Sequence, residues 1–476
     1  MAAHSSAADR SAEIDRCLEL ISPAQPDESK FVGMLLLPRL LNHDQVDSIQ
    51  RVFDGMNFKF IERLLRTSSV NSETGQVPEP VLREIAINVL ACFAHYKNMA
   101  SNKVMADRIP ALSTVLKEKN TDLRILIGSW IHDSDPTDGT REALHILLCV
   151  SVTKEALVRM LDPDVIKNIS ELIVATENEQ EQQLALQLIH STFARSCHML
   201  HEKKSIPSLE SSLKYSLQTL FTALSKILAN NQDKLKFETL NILSNVLPDI
   251  PSEIMRKFEE ESDQDKLARW LQDLRSGLRQ IFSNKLDVKY RDQSMVTTSC
   301  LLSYFGPDWL FSTLRKTKSE RRKNEKKPAN TPVLSNEEAD IKFPILLIHL
   351  VAVETRVMLD DIHERRLKLH NQEVVEVDTE KETRQEMMVP VCFEILEAAI
   401  QYLSSNYVEG QESGMDADVL LKIRTVLTDT MNIVMELLKF IQDTTTSDED
   451  LEDDLIAQAS MRIVALYLAE EGYELE

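Results

Sequence analysis

The chain has 476 residues, 43 % of them apolar, and a formal charge of −22 from 76 acidic and 54 basic side chains. That balance excludes a general nucleic-acid binder, which needs a basic footprint to displace counterions from phosphates. Only ten glycines occur, where about 7 % is usual. Phosphate loops, nucleophile elbows and tight hairpins need glycine for its positive φ, so the composition favours an all-helical binding protein over an enzyme.

From the N-terminus, residues 1–11 are polar, read as a disordered start, and lack the apolar core of a signal peptide. A helix is predicted over 12–21. In 80–96, Val81, Ile85, Val89, Leu90 and Phe93 recur at three- and four-residue spacing behind Pro80, the pattern of an amphipathic helix with proline in its first turn. The turn formers DSDPTDG precede the next periodic stretch, 141–150. Residues 182–193, 213–228 and 235–247 repeat the pattern, the last stopping before Pro248.

Taking Leu37, Leu90, Leu147, Leu188, Leu243, Leu302, Ile348 and Ile395 as centres of the most apolar helices, the gaps run from 41 to 59 residues. Armadillo and HEAT units repeat every 40–47 or so. The fold expected is therefore all-α, an armadillo/HEAT-like α-solenoid of stacked helical hairpins over 12–315 and 341–476. The longest apolar run, 345–353, is interrupted by His349 and falls short of the ~20 residues that cross a bilayer.

Two tracts interrupt the pattern. RKTKSERRKNEKK carries eight basic residues, Arg315, Lys316, Lys318, Arg321, Arg322, Lys323, Lys326 and Lys327, against two acidic ones. With little apolar content up to residue 340, the segment 316–340 reads as a basic mobile loop, and those eight residues are the candidate electrostatic contact for an acidic partner, headgroup or import receptor. The second tract, 363–384, is a charged insertion, either a solvated loop or a projecting helix. Near the end, SDEDLEDD sets six carboxylates before the apolar run 455–468, where they suit the positive end of a helix dipole.

No stretch of the sequence carries a recognisable catalytic motif. No GxGxxG or GxxxxGK occurs, and EGQESGMD, with Gly410 and Gly414, places its serine one position late for a nucleophile elbow. His190, Cys197 and His201 fall on one helical face beside His198, ligand types that zinc accepts, but without a paired motif they read as a packed histidine helix. The acidic pairs Asp360–Asp361, Glu259–Glu261 and Glu470–Glu471 lie in solvated surroundings. No catalytic residue, metal site or cofactor is expected. Six dispersed cysteines without a CxxC pair behave as small buried hydrophobes, which points to a reducing, cytoplasmic setting.

Five collinear stretches resemble the neurochondrin family: QRVFDGMNFKFIERLLRT with its aromatic pair Phe58/Phe60, KFETLNILSNVLP, GPDWL, FPILLIHLVAVETRVMLDD and SMRIVALYLAEE. The resemblance implies a non-enzymatic cytoplasmic adaptor that modulates kinase and receptor signalling and neurite outgrowth, with receptor tails, kinases and kinase regulatory subunits as protein partners. It also implies a longer family chain, so this sequence is expected to be a shortened homologue or an N-terminal fragment. The first cysteine here is Cys17, so the cysteine-rich start of some members does not carry over and membrane association is expected to be indirect or weak. An alternative reading is a stoichiometric regulator that grips a folded small GTPase or kinase.

Overall fold

The computed structural model describes residues 7–41, 46–66, 79–117, 139–202, 206–315, 336–374, 378–405, 417–444 and 454–470. Helices account for nearly all of them, and no strand occurs among the described residues. The fold class is the one the periodicity predicts: all-α, stacked helical hairpins. Short polar side chains start many helices. Asn57, Asp233 and Asp287 each accept a backbone N–H of the first turn, at 3.3, 3.1 and 3.1 Å, which satisfies a donor that has no partner inside the helix.

Two compact units divide the chain, Met1–Leu224 with Asp249–Phe258, and Ser225–Pro248 with Glu259–Glu476. The first contains α1 (Ala7–Leu20), α2 (Asp27–Leu40), α3 (Val46–Gly55), α4 (Phe58–Leu65), α5 (Glu79–Ala94), α6 (Lys97–Ala100), α7 (Lys103–Ala106), α8 (Ile109–Val115), α9 (Gly139–Val150), α10 (Lys154–Met160), α11 (Pro163–Ala175), α12 (Glu179–Glu202) and most of α13 (Pro207–Asn230). Helices α2, α5, α9 and α12 pack in a row, backed by α4, α8 and α11. Leu37, Leu90, Leu147 and Leu188 centre that row and are fully buried, each worth roughly 2 kcal/mol of transfer free energy. Phe53 meets Phe58 and Phe93 edge-on at 5.1 and 5.2 Å, pinning the turn between α3 and α4 onto α5.

The second unit contains α14 (Lys234–Val246), part of α15 (Ser252–Glu261), α16 (Gln264–Phe282), α17 (Val288–Phe305), α18 (Asp308–Phe311), α19 (Asn336–His370), α20 (Thr379–Ser405), α21 (Ala417–Thr444) and α22 (Leu455–Glu470). One row is α14, α17, α20 and α22, and the other is α16, α19 and α21. Leu243, Leu302, Ile348 and Ile395 are buried in this unit. Gly277 of α16 lies so close to α13 that a Cβ there would stand 2.8 Å from the Leu228 carbonyl oxygen. Gly306, at φ 69°, ends α17 in a conformation that L side chains avoid. By length and composition α20 is apolar enough to cross a bilayer, yet it packs against α17, α18, α19 and α22, as a core helix does.

Several expected boundaries move. Helix α1 begins at Ala7 rather than residue 12, and residues 1–6 lie outside the described residues. The basic tract is cut short, because 336–340 form the first turn of α19, an asparagine and acidic start that suits a helix N-terminus; residues 316–335 lie outside the described residues. Helix α19 packs directly on α16 and on the 3-10 turn Ser312–Arg315. Of the charged insertion 363–384, residues 363–370 end α19 and 379–384 begin α20, while 375–377 lie outside the described residues. Charges of the two helix ends pair across the hairpin, Lys381 with Asp361 at 2.7 Å and Arg365 with Glu382 at 3.7 Å, so much of the polarity there reflects helix pairing.

Candidate functional site

Helices α17 and α20 have row neighbours on both sides and the second row behind them, so each keeps a single face to solvent. On α20 that face carries Thr383, Met387, Glu394 and Gln401; on α17 it carries Lys289 and Ser303, with Gln293, Val296 and Cys300 half-buried. Met387 is 56 % exposed. Polar and aromatic rungs tie the helices together along the row. Phe237 of α14 packs at a tilt against Tyr290 of α17 with centroids 4.4 Å apart, and Gln293 Nε2 donates to Asn241 Oδ1 at 2.7 Å. The Ser299 hydroxyl donates to Glu394, and Arg462 of α22 donates to Glu397 at 2.6 Å. Burial pushes the Glu397 carboxyl up, and Arg462 pulls it back.

Arginines fix the row against its backing helices. Arg384 donates to both Asp292 oxygens at 2.7 and 2.8 Å and to Glu354 at 2.5 Å, and these carboxylates raise its pKa above the usual guanidinium value. Arg366 makes a bidentate pair with Asp454, at 2.6 and 3.1 Å. That carboxylate also accepts the first-turn N–H groups of Ile456 and Ala457 at 3.1 Å, the dipole role expected of the acidic tract. Arg366 and the helix donors hold the Asp454 carboxyl below its ordinary value, against the opposing effect of burial.

The deepest clasp is Arg275 of α16, its side chain 5 % exposed. All five guanidinium N–H groups find oxygens: Asp340 Oδ1 at 3.2 Å, the carbonyls of Trp309 and Leu310, Thr313 Oγ1 at 2.8 Å, and the Asp340 carbonyl at 2.8 Å. That last carbonyl would ordinarily accept the N–H four residues on, but residue 344 is proline and has none. Sequence reasoning missed Arg275, Asp340, Arg366 and Arg384. One signal was available: Arg275 interrupts the apolar stripe Leu267, Trp270, Leu274, Leu278 and Ile281, where a cation must find oxygen partners.

The other sequence candidates are not assembled into a reactive site. Cys197 is buried, its thiol pushed up to about 12 by burial. His198 is solvent-facing and 3.4 Å from Glu202, and His201 Nε2 meets the Asp249 carbonyl at 2.9 Å. Among the described residues no group of three His, Cys, Asp or Glu could hold a metal ion. All six cysteines are free, and burial raises the thiols of Cys300 and Cys392 to about 12, which removes them as nucleophiles at neutral pH. Of the basic candidates, Arg315 closes the 3-10 turn Ser312–Arg315. Lys316, Lys318, Arg321, Arg322, Lys323, Lys326 and Lys327 lie outside the described residues. What the row face offers is breadth, with polar rungs and apolar side chains side by side.

Among solved structures, the chain is similar to a designed armadillo repeat protein (12 % identity, 60 % of this chain and 99 % of the other, TM-score 0.34). It is also similar to importin beta (12 % identity, 98 % and 53 % coverage, TM-score 0.31). Curated relatives named neurochondrin align along nearly its whole length: 20 % identical over 96 % of the chain in Xenopus laevis, 23 % over 98 % in Gallus gallus and 22 % over 97 % in Homo sapiens. Those alignments cover 53 %, 55 % and 51 % of the relatives, so the chain spans about half their length. The neurochondrin family model matches residues 8–476, and the chain belongs to that family.

Proposed function

We propose that this protein is a non-catalytic cytoplasmic adaptor that binds other proteins through the solvent face of its helix rows and modulates kinase and receptor signalling, including neurite outgrowth. A protein-binding scaffold is what the family and the stacked helical fold support. The observation that carries the placement is the face of α17 and α20, where Met387 stands exposed beside the Ser299–Glu394 hydrogen bond and the part-buried Arg384–Asp292 ion pair. Such a mixture of apolar anchors and polar rim is how protein interfaces are built. The basic residues Arg315 to Lys327 are proposed as an added electrostatic contact for acidic partners.

A second reading, a regulator that grips a folded small GTPase or kinase, draws on the width of the same face. Four helices in a row at 8–10 Å spacing span roughly 30 Å, enough for a folded domain as well as a peptide. Proximity labelling in neurons separates these readings. The wild-type chain is compared with Met387→Lys/Glu394→Lys and with Arg321→Glu/Arg322→Glu/Lys323→Glu, each checked for unchanged thermal melting. Selective loss of kinases or receptors in the first variant supports the adaptor. Loss of one folded GTPase or kinase that the wild type also inhibits stoichiometrically supports the regulator, and an unchanged profile in both variants sinks the face and the basic contact.

A further inference from the structure

Helix α20 places two methionines side by side in opposite surroundings. Met387 is 56 % exposed on the solvent face of the helix, while Met388 is 0 % exposed in the core behind it. Among the described residues only one other methionine, Met461 of α22, has an exposed side chain. Oxidants reach sulfur according to its exposure and, for a thiol, according to its thiolate character. Burial raises every thiol of the chain: Cys92 to about 11, Cys197, Cys300 and Cys392 to about 12, and Cys17 and Cys149 above their ordinary value. A thioether needs no ionisation to react, so at neutral pH the accessible sulfur of this molecule is methionine, not cysteine.

We propose that Met387 is a reversible oxidation site, and that a hydroperoxide switches off binding at the α17 and α20 face by converting this side chain to the sulfoxide. The switching rests on the reading of that face as the protein-binding surface. In the reaction the thioether sulfur takes one oxygen from the peroxide. The O–O bond breaks, sulfur loses two electrons, and the peroxide leaves as an alcohol, or as water when it is hydrogen peroxide. A dithiol reductase reverses the step, the oxygen departing as water while the two thiols close to a disulfide. The sulfoxide turns a flexible apolar side chain into a polar one. Around Met387 the apolar side chains Pro390 and Val391 are half-buried, so oxidation puts a strong dipole where a partner meets the most exposed apolar anchor. The change stays local. One turn before Met387, Thr383 Oγ1 donates to the Thr379 carbonyl at 2.8 Å, and Arg384 is engaged with Asp292 and Glu354, so the new oxygen is met by water and the helix packing is not recruited.

Peroxide treatment of the full chain tests the site. With dilute hydrogen peroxide, fragment-ion mass spectrometry finds Met387 oxidised at least about tenfold faster than Met388, at unchanged thermal melting. A pair of methionine sulfoxide reductases, one for each sulfoxide epimer, returns Met387 to the thioether. Equal rates at the two positions, or a sulfoxide that both reductases leave in place, overturn the proposal. Proximity labelling tests the consequence. Wild type after a pulse of hydrogen peroxide loses the partners that Met387→Gln, a polar stand-in for the sulfoxide, also loses, whereas Met387→Leu, apolar and of similar volume, keeps them through the pulse. Equal losses in wild type and Met387→Leu overturn the switch, as does a wild type that keeps the partners Met387→Gln has lost. If Met387→Gln and Met387→Lys/Glu394→Lys both keep every partner, the reading of the face fails and the switch with it, which the oxidation rates alone would not reveal.

Discussion

Arg195 in the first unit and Arg275 in the second perform the same task with different means. Both reach the C-terminal carbonyls of a neighbouring helix, groups that the helix itself leaves unsatisfied. Arg195 donates to the carbonyls of Leu148 and Ser151 at 3.2 and 2.8 Å and to Ser151 Oγ at 2.8 Å, all neutral acceptors at the end of α9. Arg275 adds a carboxylate, Asp340. Burial explains the difference. Arg195 keeps part of its surface in water, which screens the charge, whereas Arg275 is almost wholly enclosed and burial pulls its pKa down, offset by Asp340. A cation at a helix end can rely on dipoles while water is near, and needs an anion once it is not.

The largest expected effect follows directly. Replacing Arg275 with Met strands three backbone carbonyls and Asp340, and should cost about 3–5 kcal/mol; the same change at Arg195 should cost about 1–2 kcal/mol. Urea unfolding of the two variants measures both, and equal losses would break the distinction between the clasps.

The end of α13 is the next test, because there the second unit relies on close backbone packing. Gln280 Nε2 donates to the Ala229 carbonyl at 3.0 Å, an approach that Gly277 makes possible, since its Cβ would sit 2.6–2.9 Å from Leu228 atoms that include the backbone. Gly277→Ala should therefore destabilise by about 2 kcal/mol through overpacking, outweighing the usual helix-propensity gain of about 1 kcal/mol. A neutral or stabilising result would mean that α13 and α16 separate freely.

How much of this was legible in the sequence divides along the same line. Every apolar centre picked from periodicity, from Leu37 to Ile395, is buried, because a period near 3.6 in apolar residues is what a packed helix face produces. The Asp454 cap was legible too, as acidic residues before an apolar run. Arg275 and its partner Asp340 lie 65 positions apart, and Arg384 and Asp292 lie 92 apart; no local spacing encodes such pairs. The polarity of 363–384 was visible, but not that its charges pair between two helix ends. The row face depends on which side of each helix its neighbours cover, information that a single helix's pattern does not hold.

Lys236 supplies a third kind of helix-end cation, buried like Arg275 but without a carboxylate. Its Nζ reaches Gln280 Oε1 at 2.5 Å and the Asn231 carbonyl at 3.4 Å, and burial lowers its pKa to about 8. An unfolded lysine keeps its proton up to about 10.4. Between these values the unfolded state binds more protons, so stability should rise with pH, by about 1.4 kcal/mol per unit for a single group. Comparing wild type with Lys236→Met from pH 7 to 9 isolates the effect, because the thiols, which ionise at about 8.5 once unfolded, contribute equally to both. The two stability curves should converge or cross as pH rises, and parallel curves would show that Lys236 stays charged and that dipoles alone suffice even when buried.

The smallest effect concerns a helix end that uses no cation at all. At the close of α19, Glu373 N–H donates to the Lys368 carbonyl at 2.9 Å and Gln372 N–H to that of Leu369 at 3.0 Å, so the chain satisfies its own carbonyls by folding back. That turn requires a left-handed residue, and Gln372 supplies it at φ 59°, at a cost of roughly 1–2 kcal/mol relative to glycine's freedom there. Gln372→Gly removes the strain but gives the unfolded chain more entropy, worth about 0.5–1 kcal/mol in the other direction. The expected balance is a gain of about 0.5 kcal/mol, seen as a small upward shift of the urea midpoint at unchanged slope. If the variant is instead less stable, the Gln372 side chain contributes to this helix end, and the backbone turn does not close it unaided as the arginine clasps close theirs.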